Sequence, residues 1–417
     1  MSKSNQKVTK RPKKIYLDYA SATPMHPKVS FAMNKFTKEN FANPGSIHDL
    51  GIEAKKKLTE VRNGVGKLLG AHSDEIIFTS GATESNNLAI LGVVNKLSEL
   101  KPSLIPHIVV TNIEHASVLE VCKYLEKNKK AKVTYVAVEK NGIVDPKKIR
   151  VAIRPDTVLV SVMYANNEIG TIQPIQEISK SIRHFKKTRA KSLVPSVYPL
   201  FHTDAVQAVN YLPVNVEKLG VDLMSFNGAK IYGPKGVGVL YKRKNITLGK
   251  IMLGGNQELT LRPGTENVAN VLGLFEALKI VEEIKTKEIK RLEKLRDYFC
   301  RVLDTRNSGV QHPTCHIIIN GDLKNRLPNN INITIPNIPS DLLVIELNAR
   351  GIMVSAKSAC KAGDNKSSHV IRAINENIKE VDGSLRFSLG RDTTKREIDK
   401  TLKALSEILN KLKKWYI

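Results

Sequence analysis

The sequence predicts an α/β fold in two domains, and three observations carry that prediction. Short apolar runs alternate with helical stretches through the first two thirds of the chain, the pattern of βαβ units on a mostly parallel sheet. After Ile284 the rhythm gives way to an irregular mix of strands and helices, which reads as a smaller α+β domain. The length of 417 residues is also more than one small core organises. The expected division is 1–25 as a tail and joining segment, 26–285 as the large domain and 286–417 as the small C-terminal domain.

The elements follow in order. Met1 to Lys14 is basic and polar, without the apolar centre of a secretory signal, and reads as a flexible tail. Ile15 to Tyr19 is strand-like, and Pro24 starts a turn. Asn43-Pro-Gly-Ser46 hands over to a long helix, His48 to Leu69, with apolar residues at helical spacing. Glu75 to Ser80 is a strand, and Gly81-Ala-Thr-Glu-Ser-Asn-Asn87 opens a second helix. A strand, a hydroxyl-rich small-residue turn and a helix N-terminus make an anion site, because free backbone amides and the helix dipole face the ligand. On its own, the same stretch is explained equally well by Thr83 or Ser85 capping the helix.

Further strands are expected at His107 to Thr111, Val133 to Val138, Thr157 to Met163, Leu200 to Thr203 and Val221 to Phe226. Polar residues follow several of their carboxyl ends: His115 after the first, Asn166-Asn167-Glu168 after the third, Asp204 and Gln207 after the fourth, Lys230 after the fifth. Taken one at a time, His115 could be a core or capping histidine, the Asn pair a turn, and Asp204 a helix cap. Together they fall on one edge of one sheet, where α/β proteins collect ligands. Gly233-Pro-Lys-Gly236 then turns the chain into a second apolar run, Val237 to Tyr241. Amphipathic helices are expected from Glu266 to Ile284 and from Lys287 to Leu303. The strand Asn332 to Ile335, the helix Asp341 to Ala349, the run Ile352 to Ser355 and the strand Ser384 to Leu389 follow. In the last helix, Lys395 to Trp415, Ile398, Leu402, Leu405, Leu409 and Leu412 form one apolar face that packs as core.

Hydrophobic content of 41% and aromatic content of 5% suit a globular chain rather than a disordered or membrane one, and no apolar run spans a bilayer. The net charge of +26 raises nucleic acid as a partner. The 66 Lys and Arg are spread along the whole chain, however, and no RNA- or DNA-reading motif stands out, so direct nucleic-acid binding is not expected. Four irregularly spaced cysteines suggest no disulfide framework and point to a reducing cytoplasm. Cys122 and Cys300 sit among apolar helix residues, as buried structural cysteines do. Cys360 lies instead in a long Gly/Ser/Lys loop, with Lys357 and Lys361 near enough in sequence to favour its thiolate. His312-x-x-Cys315-His316 lacks a partner cluster, and no metal is expected. The basic, proline-containing segment from Lys186 to Tyr198 reads as a surface insertion.

A lysine able to form a Schiff base, a carboxylate one strand away, a histidine able to lie over a ring and a phosphate cradle together describe a pyridoxal phosphate site. In that site Asp204 holds the pyridine nitrogen protonated, Gln207 meets the ring hydroxyl, and Thr83 with the Ala82 amide takes the phosphate. Ten motifs then carry a resemblance. They are Tyr16-Leu-Asp-Tyr-Ala20, Asn43-Pro-Gly-Ser-x-His48, Thr79-Ser-Gly-Ala-Thr-Glu-Ser85, Glu114-His115, Asn166-Asn-Glu-Ile-Gly170, Asp204-x-x-Gln207, Lys230-Ile-Tyr-Gly-Pro-Lys-Gly236, Arg262-Pro-Gly-Thr265, Ser358-Ala-Cys360 and Leu385-Arg-Phe-Ser-Leu-Gly-Arg391.

Over nearly its whole length the chain resembles the NifS/IscS-like cysteine desulfurases. The resemblance implies a fold-type-I pyridoxal phosphate enzyme of the class V aminotransferase group, a homodimer that converts L-cysteine to L-alanine. Lys230 would hold the cofactor and move the substrate α-proton, and His115 would stack on the ring and assist proton transfer. Asn167 would touch cofactor and substrate, Arg386 would bind the substrate carboxylate, and Thr265 would reach the phosphate in the neighbouring subunit. Cys360 would take the sulfur as a persulfide and carry it outward to an iron–sulfur scaffold, a tRNA-thiolation protein or both. Where the best-known members have Ser-x-His before the lysine, this chain has Asn227-Gly228-Ala229, so Asn227 offers an amide and Ala229 nothing. A selenocysteine lyase or another class V pyridoxal phosphate enzyme and, from a different class, a basic scaffold or RNA-associated protein with a decayed site are the alternatives.

Overall fold

The computed structural model describes residues 14–188, 193–303, 317–356, 368–375 and 383–416. Cys360 and its neighbours Lys357 and Lys361, the His312/Cys315/His316 group, Met1 to Lys13 and residues 189–192 of the basic insertion lie outside the described residues.

The chain begins with β1 (Ile15–Tyr16), α1 (Pro27–Glu39), α2 (Asp49–Leu69), β2 (Ile76–Thr79) and α3 (Ala82–Leu100). It continues with β3 (His107–Thr111), α4 (Ala116–Lys127), β4 (Lys132–Val136), α5 (Pro146–Ala152), β5 (Thr157–Ser161) and α6 (Ile175–Thr188). Next come β6 (Leu200–Asp204), α7 (Val216–Leu219), β7 (Leu223–Asn227), β8 (Gly238–Lys242) and α8 (Val268–Leu303). The last elements are β9 (Ile318–Ile319), β10 (Asn330–Thr334), α9 (Ser340–Ala349), β11 (Ile352–Met353), α10 (His369–Ile374), β12 (Ser384–Ser388) and α11 (Lys395–Tyr416).

Seven strands form one sheet in the order β2-β8-β7-β6-β5-β3-β4. β4, β3, β5, β6 and β7 pair parallel, while β8 runs antiparallel to both β2 and β7. The reversal has a simple cause: the link from Asn227 to Gly238 is too short for a parallel crossover, so the chain folds straight back. The strand order changes direction between β3 and β5, and a crevice opens at that switch point, outside the carboxyl ends of the strands.

Both faces of the sheet are covered. Phe78, Val109, Val160, Phe201 and Met224 point to a core shared with α2 and the first half of α8. Their chain neighbours Ile77, Ile108, Leu159, Leu200 and Leu223 point to the opposite core, with Leu88 and Val93 of α3 and Val118 and Cys122 of α4. A third core joins β10, β12, α9, α11 and the second half of α8, and Ile15 and Leu17 from the start of the chain enter it. There β1 pairs parallel with β11, and β10 lies between β12 and β9.

Three expectations need correction. Glu266 to Ile284 and Lys287 to Leu303 are a single helix of 36 residues, because no glycine or proline interrupts the Glu- and Lys-rich junction and its residues are good helix formers. The first strand is two residues long rather than five, because Ser21 and Ala22 donate backbone hydrogen bonds to the Asp18 carbonyl and close a turn. The helix at Pro27–Glu39 was not foreseen: Pro27 sits at its start and the His26 side chain caps it, a residue type outside the usual capping set. The apolar face of the last helix is buried, with Ile398 and Leu405 at 1% exposure or less.

Candidate active site

The crevice holds a cavity of about 720 Å³, open mouth included. Ala82, Thr83, His115, Asn167, Asp204, Gln207, Asn227, Lys230 and Arg386 all line it. Residues expected at four separate strand ends, on the anion loop before them and on one later segment therefore face one space.

Lys230 follows β7 in a single 3-10 turn, and its Nζ donates to the Ser21 carbonyl. The turn is held from the N-terminal segment: Thr23 donates to the Ala229 carbonyl through its backbone amide and its hydroxyl, each at 3.0 Å. Asp204 closes β6 and is buried; its Oδ2 accepts from Asn86 Nδ2 at 2.7 Å and its Oδ1 from the Val206 amide at 3.0 Å. Gln207 Nε2 donates to the Ala20 carbonyl at 3.0 Å.

His115 is the N-cap of α4, and its Nδ1 accepts from the Ser117 amide at 3.1 Å. Next to it, Glu114 is fully buried. Burial pushes its carboxyl up to about 8, with the Asp204 charge adding to the rise, while hydrogen bonds from Thr111 and Met163 oppose it. Of the Asn pair, Asn166 builds the turn by accepting from the Glu168 and Ile169 amides, and Asn167 faces the cavity. Arg386 is 2% exposed; it donates from Nη1 to the Asn167 carbonyl at 2.9 Å and from Nη2 to Asp18 and Ser21 at 2.7 Å.

At the anion loop, β2 runs into Gly81 and α3 begins. Glu84 accepts from the Ser80 amide and is held by Arg262 Nε at 3.1 Å, while Thr79 and Ser85 share a hydroxyl bond of 2.8 Å. Gly238 of β8 packs against this loop so closely that a Cβ there would lie 2.6 Å from the Gly81 carbonyl carbon.

Thr265 is exposed and does not line the cavity. Sequence reasoning missed Ser21, Asn86, Ser117 and Met163. Asn86 had a usable signal, since it lies one helical turn after Ala82 and so on the same face. Ser21 had none: only the return of the N-terminal segment across β12 brings it to the cavity.

The donor set fits pyridoxal phosphate. The Asp204 carboxylate lines the cavity as a partner for a protonated ring nitrogen, Lys230 lines it as the Schiff-base amine, and the N-terminus of α3, with Ala82 and Thr83 on the lining, suits a phosphate.

Comparison with known proteins identifies the family. The aminotransferase class-V family model matches residues 15–401. The chain is 45% identical over 401 residues to the cysteine desulfurase IscS of Dictyoglomus turgidum, covering 96% of each chain. Among solved structures it is similar to a NifS-like protein at 36% identity and TM-score 0.84, over 96% of this chain and all of the other. It is also similar to SspA in complex with cysteine, at 31% identity and TM-score 0.72, over 90% of this chain and 98% of the other. The chain belongs to the class-V aminotransferase family and, within it, to the IscS-type cysteine desulfurases.

Proposed function

We propose that the chain takes L-cysteine to L-alanine with pyridoxal phosphate and passes the sulfur to Cys360 as a persulfide. The observation that carries this reading is the convergence of Lys230, Asp204, His115 and Arg386 on one cavity at the sheet's switch point. When bound, the cofactor supplies an electron sink that weakens the bonds at the substrate α-carbon.

The chain's own residues do the rest. Lys230 anchors the cofactor and moves the α-proton through its Nζ. Asp204 holds the ring nitrogen protonated and Gln207 approaches the ring hydroxyl. Thr83 and the Ala82 amide receive the phosphate, with Asn227 replacing the usual serine as a donor. His115 would lie over the ring, Asn167 would touch cofactor and substrate, and Arg386 would pair with the substrate carboxylate. Cys360 accepts the sulfur.

Exposed Phe41, Ile47 and Leu253, at 84%, 95% and 85%, supply apolar surface for a second copy, and Thr265, twelve residues beyond Leu253, would reach the partner's phosphate. We read 26–285 as the cofactor domain and 286–417 as the small domain, with α8 continuous across the division. A reducing cytoplasm would keep the Cys360 thiol available, and an iron–sulfur scaffold, with or without a tRNA-thiolation protein, would receive the sulfur.

Purified protein with pyridoxal phosphate should release alanine from cysteine and become persulfidated, and Cys360→Ala should keep the colour while losing sulfide production. A mutant that still releases sulfide at the wild-type rate without added reductant would remove Cys360 from the mechanism.

A further inference from the structure

Asn86 sits on the first turns of α3, fully buried, where an amide side chain carries a desolvation cost unless it is used. Its Nδ2 spends both protons. One goes to Asp204 Oδ2 at 2.7 Å and the other to Ser117 Oγ at 2.8 Å. The amide orientation is fixed by chemistry, since turning it over would set Oδ1 against a carboxylate oxygen at 2.7 Å. The opposite side of the amide bears the cost: Asn86 Oδ1 is buried with no partner among the described residues.

Direction then propagates. Ser117 Oγ accepts from Asn86, so its own proton is available for its other neighbour, His115 Nδ1, at 2.8 Å. The Ser117 backbone amide, which can only donate, points at the same nitrogen from 3.1 Å. Two donors on Nδ1 leave no place for a proton there. A neutral imidazole so held carries its hydrogen on Nε2.

We propose that Asn86 is a positioning residue that fastens Asp204 and, through Ser117, locks His115 in the tautomer with its proton on Nε2. The proposal rests on the pyridoxal phosphate reading for its consequence, because it makes His115 a hydrogen-bond donor toward the ring side of the site. It also ties the residue expected at the ring nitrogen to the residue expected over the ring face. Position at both ends of the site then depends on one side chain that touches neither substrate nor reacting atoms.

The test uses the full chain, with wild type, Asn86→Ala, Ser117→Ala and Ser117→Thr. The first readout is the ¹⁵N spectrum of histidine-labelled protein, with His115 assigned by comparison with His115→Asn. Wild type should show one protonated and one bare ring nitrogen, with the proton on Nε2. Ser117→Ala leaves Nδ1 only the longer backbone donor at 3.1 Å, so a second tautomer should appear, and Ser117→Thr, which keeps the hydroxyl, should restore the wild-type pattern.

The second readout is the pyridoxal phosphate dissociation constant and visible band. Asn86→Ala should weaken binding about tenfold, the loss of one charge-assisted hydrogen bond, whereas Ser117→Ala should stay within about twofold. Should Asn86→Ala fail to fold, Ser117→Ala and Ser117→Thr still decide the tautomer. An unchanged His115 spectrum in Ser117→Ala, or unchanged cofactor binding in a folded Asn86→Ala, overturns the proposal. A wild type that binds no pyridoxal phosphate instead overturns the reading of the site, and the histidine spectrum still judges the network.

Discussion

Arg386 Nη2 lies 2.7 Å from Asp18 Oδ1, which ties β12 to the segment after β1 at the wall of the cavity. The same carboxylate oxygen accepts from the hydroxyls of Ser21 and Ser355, each at 2.9 Å. One aspartate near the start of the chain thus holds the guanidinium and both strands' flanking segments.

Asp18→Ala should expose the importance of that pair. Arg386 is 2% exposed and would keep a charge with one fewer acceptor, so unfolding in urea should show a loss of about 2–3 kcal/mol, with KM for cysteine raised. The figure sits below that for a fully buried pair because the Asp18 side chain is 18% exposed. Unchanged stability together with unchanged KM would mean that Ser21 and the Asn167 carbonyl position Arg386 without help.

Lys230→Ala should lower alanine formation by on the order of 10³-fold or more while leaving the fold intact. Borohydride reduction followed by peptide mapping should tag the peptide containing Lys230 in wild type and no peptide in the variant. A tag on a different lysine would displace Lys230 from its proposed role.

Glu114 gives a pH dependence whose sign follows from burial. Its carboxyl is pushed up to about 8, above the ordinary value of 4.5, so the folded chain stays protonated where the unfolded chain ionises. Its contribution to stability is complete below about pH 4.5 and is lost as pH rises toward about 8, at roughly 1.4 kcal/mol for each unit crossed. Glu114→Gln cannot ionise, so its stability relative to wild type should be higher near the upper end of that window than near the lower end. A wild-type-minus-variant difference that is flat across the window would refute the buried, neutral carboxyl.

Gly238→Ala should damage the anion loop from behind. A Cβ at this position would meet Gly81 backbone at 2.6 and 2.7 Å, and backbone cannot swing away as a side chain can. We expect a loss of about 1–3 kcal/mol in stability, accompanied by weaker binding of pyridoxal phosphate. Alanine at Gly351, where an added Cβ would meet nothing within 4 Å but the backbone has φ of +78°, should lose stability without the cofactor effect.

Much of the sheet was legible because strand and turn signals are local. Val221 to Phe226 foretold β7 closely, and Gly233-Pro-Lys-Gly236 marked the reversal into β8. The two-helix reading of 266–303 failed because a change of composition resembled a boundary, while the junction around 282–288 holds neither glycine nor proline to break the helix. At the site, Lys230, Asp204, His115 and Asn167 could be found because each follows an apolar run within four residues. Asn86 and Ser117 could be read only as helix-start residues until their partners were known.

By itself the sequence determined the alternation of strands and helices and the polar residues at strand ends, because hydrophobic period and turn chemistry act over a few neighbouring residues. It also carried the ordered motifs that placed the chain in its family. Only the tertiary structure decided that Asp18 meets Arg386 and that Asn86 joins Asp204 to Ser117. These contacts bridge separations of 368, 118 and 31 residues, and hydrogen-bond geometry at about 3 Å is set by packing of whole elements, which no local pattern specifies.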